Sequence, residues 1–510
     1  MNQDQKSIKK VSTATLNSQT VLLKSSVAAG TLPGLLGCQN KSGAKMIGIQ
    51  IGPVSFVDEG IENVLDILQD RGAVNTIFLS TFSYDRGISG RQIPGRPFPD
   101  HGVQKSDEKY FHGGNYAKPH PKFYQNTELK GENMRAPDFG DLDIVAEVLP
   151  AAKKRGMKVF CSVLDGFNYP DDVPDFKKFA EINLHGQKGE ALCFYRPDVR
   201  AFWTGLVTDL CMSYDIDGIL LFNERGGPLL NSLGASHNQN IASSRVTCFC
   251  EYHQKAAREL GIDFQRARQG YLKLDNFVQA SLKGQRPSDG YYVEFARILL
   301  EYPEIVAWNK LFDLGKSQVL SDVSKAVKNV SKNLQVGFHI EHVNSFNPIY
   351  RAARSYADLA TKADFLKVVV YNNAGGERYA NFIQNAGSIV FRDVPPEELM
   401  RFNNHLLNYS KDEASFDKIS EAGLSPDYVF RETQRAIAGV KGKCKILPGI
   451  DVNIPTGMNS RKASPEDTYA ATLSALKAGA DGIILSRKYS EMQLANLSAA
   501  GRAVRDTEKD

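Results

Sequence analysis

Six apolar runs of this chain end on ionisable or hydrogen-bonding side chains, and their spacing repeats. If each run is a strand, every second residue shares a face. Ile216 to Glu224 then sets Gly218, Leu220, Phe222 and Glu224 on one face, and Lys445 to Asp451 sets Leu447, Gly449 and Asp451. Lys158 to Asp165 offers Val159, Cys161, Val163 and Asp165 by the same count; Gln335 to Glu341 offers Gly337, His339 and Glu341. Asp364 to Tyr371 offers Phe365, Lys367, Val369 and Tyr371, and Gly482 onward offers Ile483, Leu485 and Arg487. Converging carboxylates suit proton transfer, because one can give a proton while another stays charged. A desolvated lysine among them is a potential amine nucleophile. Each residue alone could cap a loop or neutralise a buried neighbour. As a set, they would be costly to bury without a use, at several kcal/mol (order of magnitude) per imperfectly paired charge.

The elements that would position these residues alternate. Met46 to Gly52 is the first strand and Val74 to Thr81 the second, with a helix over Asp58 to Arg71 between them. A polar stretch from Tyr84 to Asp138, rich in Gly, Pro, His and Tyr, precedes a helix over Asp141 to Arg155 that Gly156 ends. After the third strand a helix spans Val199 to Tyr214, and the fourth strand follows. Residues 225–333 are mostly helical and too long for one crossover, so an insertion at the mouth is expected there. Ser464-Pro-Glu-Asp467 opens a helix with a capping serine, and the last helix runs from Leu494 to Arg505. Eight strand–helix units in a row predict an α/β fold of the (β/α)₈ barrel type. It carries a long loop after strand two and a helical insertion after strand four. Functional groups in such barrels gather at the C-terminal strand ends.

The net charge of +4 over 510 residues and the lack of a basic tract argue against nucleic acid as a partner. The 20 Tyr and 27 Phe exceed what a core needs and allow ring platforms at Tyr84, Tyr371 or Trp203, the last on a helix and so better placed in the core. At the N-terminus, Lys9-Lys10, a mildly apolar run from Val21 to Gly37 and Leu35-Leu36-Gly37-Cys38 resemble a bacterial lipoprotein signal. Residues 1–44 are therefore expected to direct export and tether the chain through a lipid on Cys38. Residues 45–510 would then form the barrel in the periplasm or at a membrane surface. His101, His112 and His120 match no zinc spacing, and no metal or other cofactor is assigned. Cys248-Phe-Cys250-Glu-Tyr-His253 offers three soft ligands without an obvious fourth nearby, leaving zinc, free thiols and a disulfide open.

Phe222-Asn223-Glu224 at the end of strand four resembles the Asn-Glu of the large clan of (β/α)₈ retaining glycosidases. The resemblance implies Glu224 as general acid/base and Asp451, at the end of strand seven, as nucleophile. That clan carries Glu at the second position; the shorter Asp451 widens the gap. From Ile47 onward the chain is also similar to uncharacterised bacterial proteins called hypothetical glycosyl hydrolases. The shared stretches are Gly52 to Gly60, Cys248-Phe-Cys250, Arg286 to Gly290, Pro448 to Asp451 and Leu485 to Glu491. These resemblances imply a carbohydrate substrate, touched by Asp165, Asn223, His339, Glu341, Lys367, Tyr371, Arg487, Lys488 and Tyr84. Two other readings stand beside this one. Lys367 on strand six could serve an aldolase- or lyase-type barrel acting on a sugar acid, or the barrel could bind glycans without cutting them.

Overall fold

Eight of the expected apolar runs are strands, and all eight lie parallel. The computed structural model describes residues 44–107, 111–165, 173, 176–234, 241–409, 413–454 and 461–509. The expected export signal and Cys38 lie outside these residues. In chain order the strands are β1 (Met46–Ile51), β2 (Thr76–Ser83), β3 (Lys158–Leu164) and β4 (Gly218–Phe222), then β5 (Gln335–Ile340), β6 (Phe365–Val369), β7 (Lys445–Asp451) and β8 (Gly482–Ser486). Each pairs with the next, and β1 pairs with both β2 and β8, which closes the barrel. The expected (β/α)₈ fold is present. Among the described residues no helix is long and apolar enough to cross a membrane.

Closure divides the apolar side chains into two shells. Val159, Cys161 and Val163 of β3 and Ile483 and Leu485 of β8 point outward into the large core beneath the helices. Phe160, Leu164 and Ile484 point inward, with Phe78, Leu220, Phe222, Phe365 and Leu447. The expected facing of β3 and β8 is therefore reversed. Both faces of a barrel strand are apolar, so alternation carries no signal there and register decides. Ser162 aligns with Leu220, Leu220 with Gly337 and Gly337 with Phe365, which fixes the inward set around the barrel.

Three rings plug the barrel. Phe78 stacks on Phe160 with centroids 5.1 Å apart, and Phe365 meets them edge-on at 5.9 and 5.5 Å. The plug fits because two neighbouring strands present glycine. A Cβ on Gly48 would sit 2.4 Å from the Phe78 ring, and one on Gly337 would sit 2.1 Å from the Phe365 ring. The ionisable residues His339, Lys367 and Asp451 follow this layer on their strands, nearer the C-terminal ends.

The connections differ from expectation in two places. A short antiparallel hairpin, Ala180–Ile182 with Lys188–Leu192, follows β3. The helical stretch after β4 ends in a 27-residue helix, Glu304–Val330, which packs on helix Pro197–Ser213 and leads into β5. That helix is the crossover of the fourth unit. The inserted part is the run of shorter helices before it, Pro228–Ser232, Glu251–Glu259, Phe264–Leu282 and Tyr291–Glu301. The helix Pro465–Lys477 opens with a full capping box between Ser464 and Asp467. Gly337→Ala is expected to overpack the plug and lower unfolding stability by about 1–3 kcal/mol, read from urea denaturation.

Candidate active site

Glu224 lies two residues beyond the last residue of β4, on the face that Leu220 and Phe222 turn inward. The Phe222 ring stacks under the His339 imidazole of β5 at 4.6 Å and 30°. That contact aims His339 Nε2 at Glu224 Oε1, 2.6 Å away. The carboxyl is 34% exposed at its side chain and the imidazole 3%, so solvent reaches one partner of the bond and not the other. Burial, reinforced by the charge of Lys367, holds His339 below its ordinary pKa, with Glu224 opposing. That direction favours the neutral ring. An ionised Glu224 can only accept, so Nε2 carries the proton and donates it.

Beside this pair stands Lys367 of β6, fully buried. Its Nζ donates to Gln50 Oε1 on β1 and to the Tyr371 hydroxyl at 3.1 Å; Ser486 Oγ donates to the same Gln50 oxygen at 2.9 Å. Burial pushes the amine down to about 7, against the pull of Glu224 and with the push of Arg378. Space for it comes from Gly449 of β7, where a Cβ would sit 3.0 Å from Lys367 Cε.

Asp451 ends β7 and is 1% exposed. Its Oδ2 accepts the amide of Ala374 at 2.7 Å, in the first turn of helix Asn373–Ser388, and its Oδ1 accepts the amide of Ile454 at 3.1 Å. Burial raises its pKa to about 6; the two amides and Arg378 oppose the rise. Arg378 comes from the same helix. It is buried, its Nη1 lies 3.3 Å from His342 Nδ1, and its Nε has no hydrogen-bond partner. The charges of Glu224 and Asp451 both act on Arg378 and on the Tyr371 hydroxyl, which burial raises. The two carboxylates therefore share one electrostatic neighbourhood, with Arg378 and Tyr371 common to both.

Several residues expected at this rim are engaged elsewhere. Asp165 Oδ2 accepts from Asn223 Nδ2 at 2.8 Å and from Arg225 Nη1 at 3.2 Å. Arg225 also pairs with Glu181 of the hairpin, and Thr247 Oγ1 donates to Glu181 at 2.6 Å. Asp165 and Asn223 continue the outward series of β3 and β4, so this cluster forms outside the mouth. Glu341 has the inward parity of His339, but it follows the end of β5 and pairs with Lys316 of helix Glu304–Val330 at 2.8 Å. Lys488 is buried, with Nζ directed at the carbonyl oxygens of Arg86, Gly90 and Arg91, and so fastens the loop after β2. Arg487 is held by Glu491. Tyr84 is 2% exposed, edge-on to Phe82, and Trp203 lies in the core against Phe82 and Phe202, so neither ring faces a cleft. The three loop histidines are separately bonded: His101 to Glu59 and the Met492 carbonyl, His112 to the Gly113 carbonyl, and His120 to Asp209.

Of the expected residues, Glu224, His339, Lys367, Tyr371 and Asp451 form the inner group. Gln50, Ser486, His342 and Arg378 were missed. Gln50 could have been found, since it continues the Met46–Gly48 parity on β1. Arg378 sits on a helix outside any strand and gave no such signal.

The fold and this polar centre define the chain as a (β/α)₈ barrel with ionisable groups at its C-terminal mouth. No protein-family model and no curated protein matches it. Among solved structures it is similar to α-L-fucosidase isoenzyme 2 from Paenibacillus thiaminolyticus, with 13% identity and TM-score 0.45 over 91% of this chain and 49% of that one. It is also similar to the PgaB (BpsB) glycoside hydrolase domain from Bordetella bronchiseptica, with 12% identity, TM-score 0.46 and 91% and 98% coverage. A third is the β-galactosidase from the psychrophilic Marinomonas ef1, with 11% identity, TM-score 0.49 and 91% and 59% coverage. The chain thus spans about half the length of the fucosidase and about three-fifths of the galactosidase.

The buried amine makes a prediction with a definite sign. Lys367 has a folded pKa near 7 against an ordinary 10.5, so between those values the unfolded chain holds a proton that the folded chain lacks. Its contribution to stability is present above about 10.5 and is lost as pH falls towards 7. Relative to wild type, Lys367→Met should therefore lose ground as pH rises from about 6 to about 9, by about 2–3 kcal/mol. Urea unfolding of both proteins at the two pH values measures it; a pH-independent difference would contradict the buried-amine account.

Proposed function

We propose that this protein hydrolyses a glycosidic bond at the mouth of the barrel, with Glu224 as general acid/base. The observation that carries the reading is the bond between a part-exposed carboxyl at the end of β4 and a buried imidazole. A general acid must reach the departing oxygen, and Glu224 is the inner-group carboxyl that solvent touches. It would protonate that oxygen and then take a proton from the incoming water. His339 holds the carboxyl in place and donates to its ionised form.

Asp451 supplies the second carboxylate. Its two backbone amides fix it, and each oxygen keeps a further lone pair for charge developing on the sugar. Arg378, with an unpartnered Nε and in the field of both carboxylates, suits a sugar hydroxyl or an acidic substituent. Asn223 faces Asp165 rather than the mouth, so the hydroxyl contacts of this site are assigned to Arg378 and Tyr371.

One observation favours a second reading. An amine held near 7 suits Schiff-base chemistry, and Lys367 is such an amine. It is fully enclosed and bonded to Gln50 and Tyr371, so a carbonyl substrate would first have to displace those contacts.

The test is a panel of oligosaccharides and aryl glycosides offered to wild type and Glu224→Gln, with borohydride trapping of candidate sugar acids in parallel. Cleavage by wild type that falls about 10²–10⁴-fold in the variant is the expected result. Cleavage that survives the substitution would remove Glu224 from the role, and adduct formation at Lys367 without glycoside cleavage would establish the lyase reading instead.

A further inference from the structure

Away from the mouth, the fold completes a cluster that the sequence left one ligand short. Cys248, Cys250 and His253 are joined by Cys193, which directly follows the hairpin strand Lys188–Leu192. The four donor atoms all lie within 4.8 Å of one another, and all four residues are buried. Cys193 Sγ is 3.4 Å from Cys250 Sγ and 3.4 Å from His253 Nδ1, and Cys250 Sγ is 3.7 Å from the same nitrogen. A tetrahedral ion with metal–sulfur bonds of about 2.3 Å places its ligands about 3.8 Å apart, so these separations need only small adjustment.

The groups around the four donors hold them in place. The backbone amide of Ile182 donates to Cys248 Sγ at 3.4 Å. Tyr195 meets the His253 ring at 4.6 Å and fixes it with Nδ1 towards the sulfurs. His253 Nε2 is buried without a hydrogen-bond partner. Four donors converge where a disulfide would use two and leave a thiol and an imidazole without purpose. Three thiolates around a divalent ion leave one net negative charge, and the Arg225 guanidinium lies within the field of Cys193.

We propose that Cys193, Cys248, Cys250 and His253 bind one zinc ion in a closed, structural Cys₃His site. Closed, because four protein ligands complete the tetrahedron and leave no position for substrate. The ion pins the hairpin after β3 to helix Glu251–Glu259 of the insertion. Glu181 on the hairpin and Thr247 beside Cys248 both belong to the cluster that holds Arg225, the residue following Glu224. The metal therefore braces the wall behind the mouth without entering the chemistry.

The full-length chain, purified under reducing conditions and dialysed against zinc, is assayed for bound metal, thiols and folding by circular dichroism. The expected result is about one zinc per chain that survives gel filtration in EDTA. Cys250→Ser should lose it and Cys211→Ser, whose thiol lies outside the cluster, should keep it. Because the serine variant can fail to fold, Cys248→His provides a second arm. It should retain a metal, and its cobalt derivative should show tetrahedral bands with weaker sulfur charge transfer than wild type. A folded, fully reduced wild type that holds no zinc when offered it would overturn the proposal, and so would a Cys193–Cys250 disulfide that persists in the reducing buffer.

Discussion

A lysine amine enclosed in a barrel is tolerable only if every neighbouring group is arranged around it, and this constraint organises the mouth. Lys367 stands over the three-phenylalanine plug, one strand from His339 and opposite Gln50. Gln50 and Tyr371 take its hydrogen bonds, Glu224 supplies compensating charge, and Gly449 leaves room for its stem. The same amine helps keep His339 neutral, and a neutral His339 is what can hold an ionised Glu224 by donation. Without the plug, water would enter from below and these shifts would relax towards their ordinary values.

Around this inner group the rim charges fall into separate clusters with different work. Asp165, Asn223, Arg225, Glu181 and Thr247 lock the hairpin and insertion to the ends of β3 and β4. Glu341 and Lys316 bind β5 to its preceding helix. Lys488 gathers the loop after β2. Breaking one partner of such a pair would strand a buried charge, so their value lies in fixing geometry more than in net stabilisation. The inner group differs in containing a solvent-reachable carboxyl.

Much of this was legible in the residues, and the failures have definite causes. The eight strands and the closed barrel followed from alternating apolar runs, and Glu224, His339 and Lys367 from the parity of β4, β5 and β6. Parity failed on β3 and β8, where both faces are apolar: Asp165 lay on the outward series, and Ile484, not Ile483, on the inward one. The hairpin at 180–192 was invisible because its strands are three and five residues long. Cys193 could not be joined to Cys250 by spacing, since 57 residues separate them and only the fold brings them together. Arg378 reaches the site from a helix, where strand counting has nothing to say.

The proposed role of Glu224, proton transfer in a glycoside-cleaving centre, can be tested by restoring the lost carboxylate. The most direct measurement is chemical rescue of Glu224→Ala by azide, with an aryl glycoside bearing an activated leaving group that wild type cleaves. Azide should restore turnover in this variant and yield a glycosyl azide, because a small anion can enter where the carboxyl stood. No rescue is expected in Asp165→Ala or Glu341→Ala, whose carboxylates pair with Arg225 and Lys316. Full activity of Glu224→Ala without azide, or azide rescue confined to Asp165→Ala or Glu341→Ala, would contradict that role.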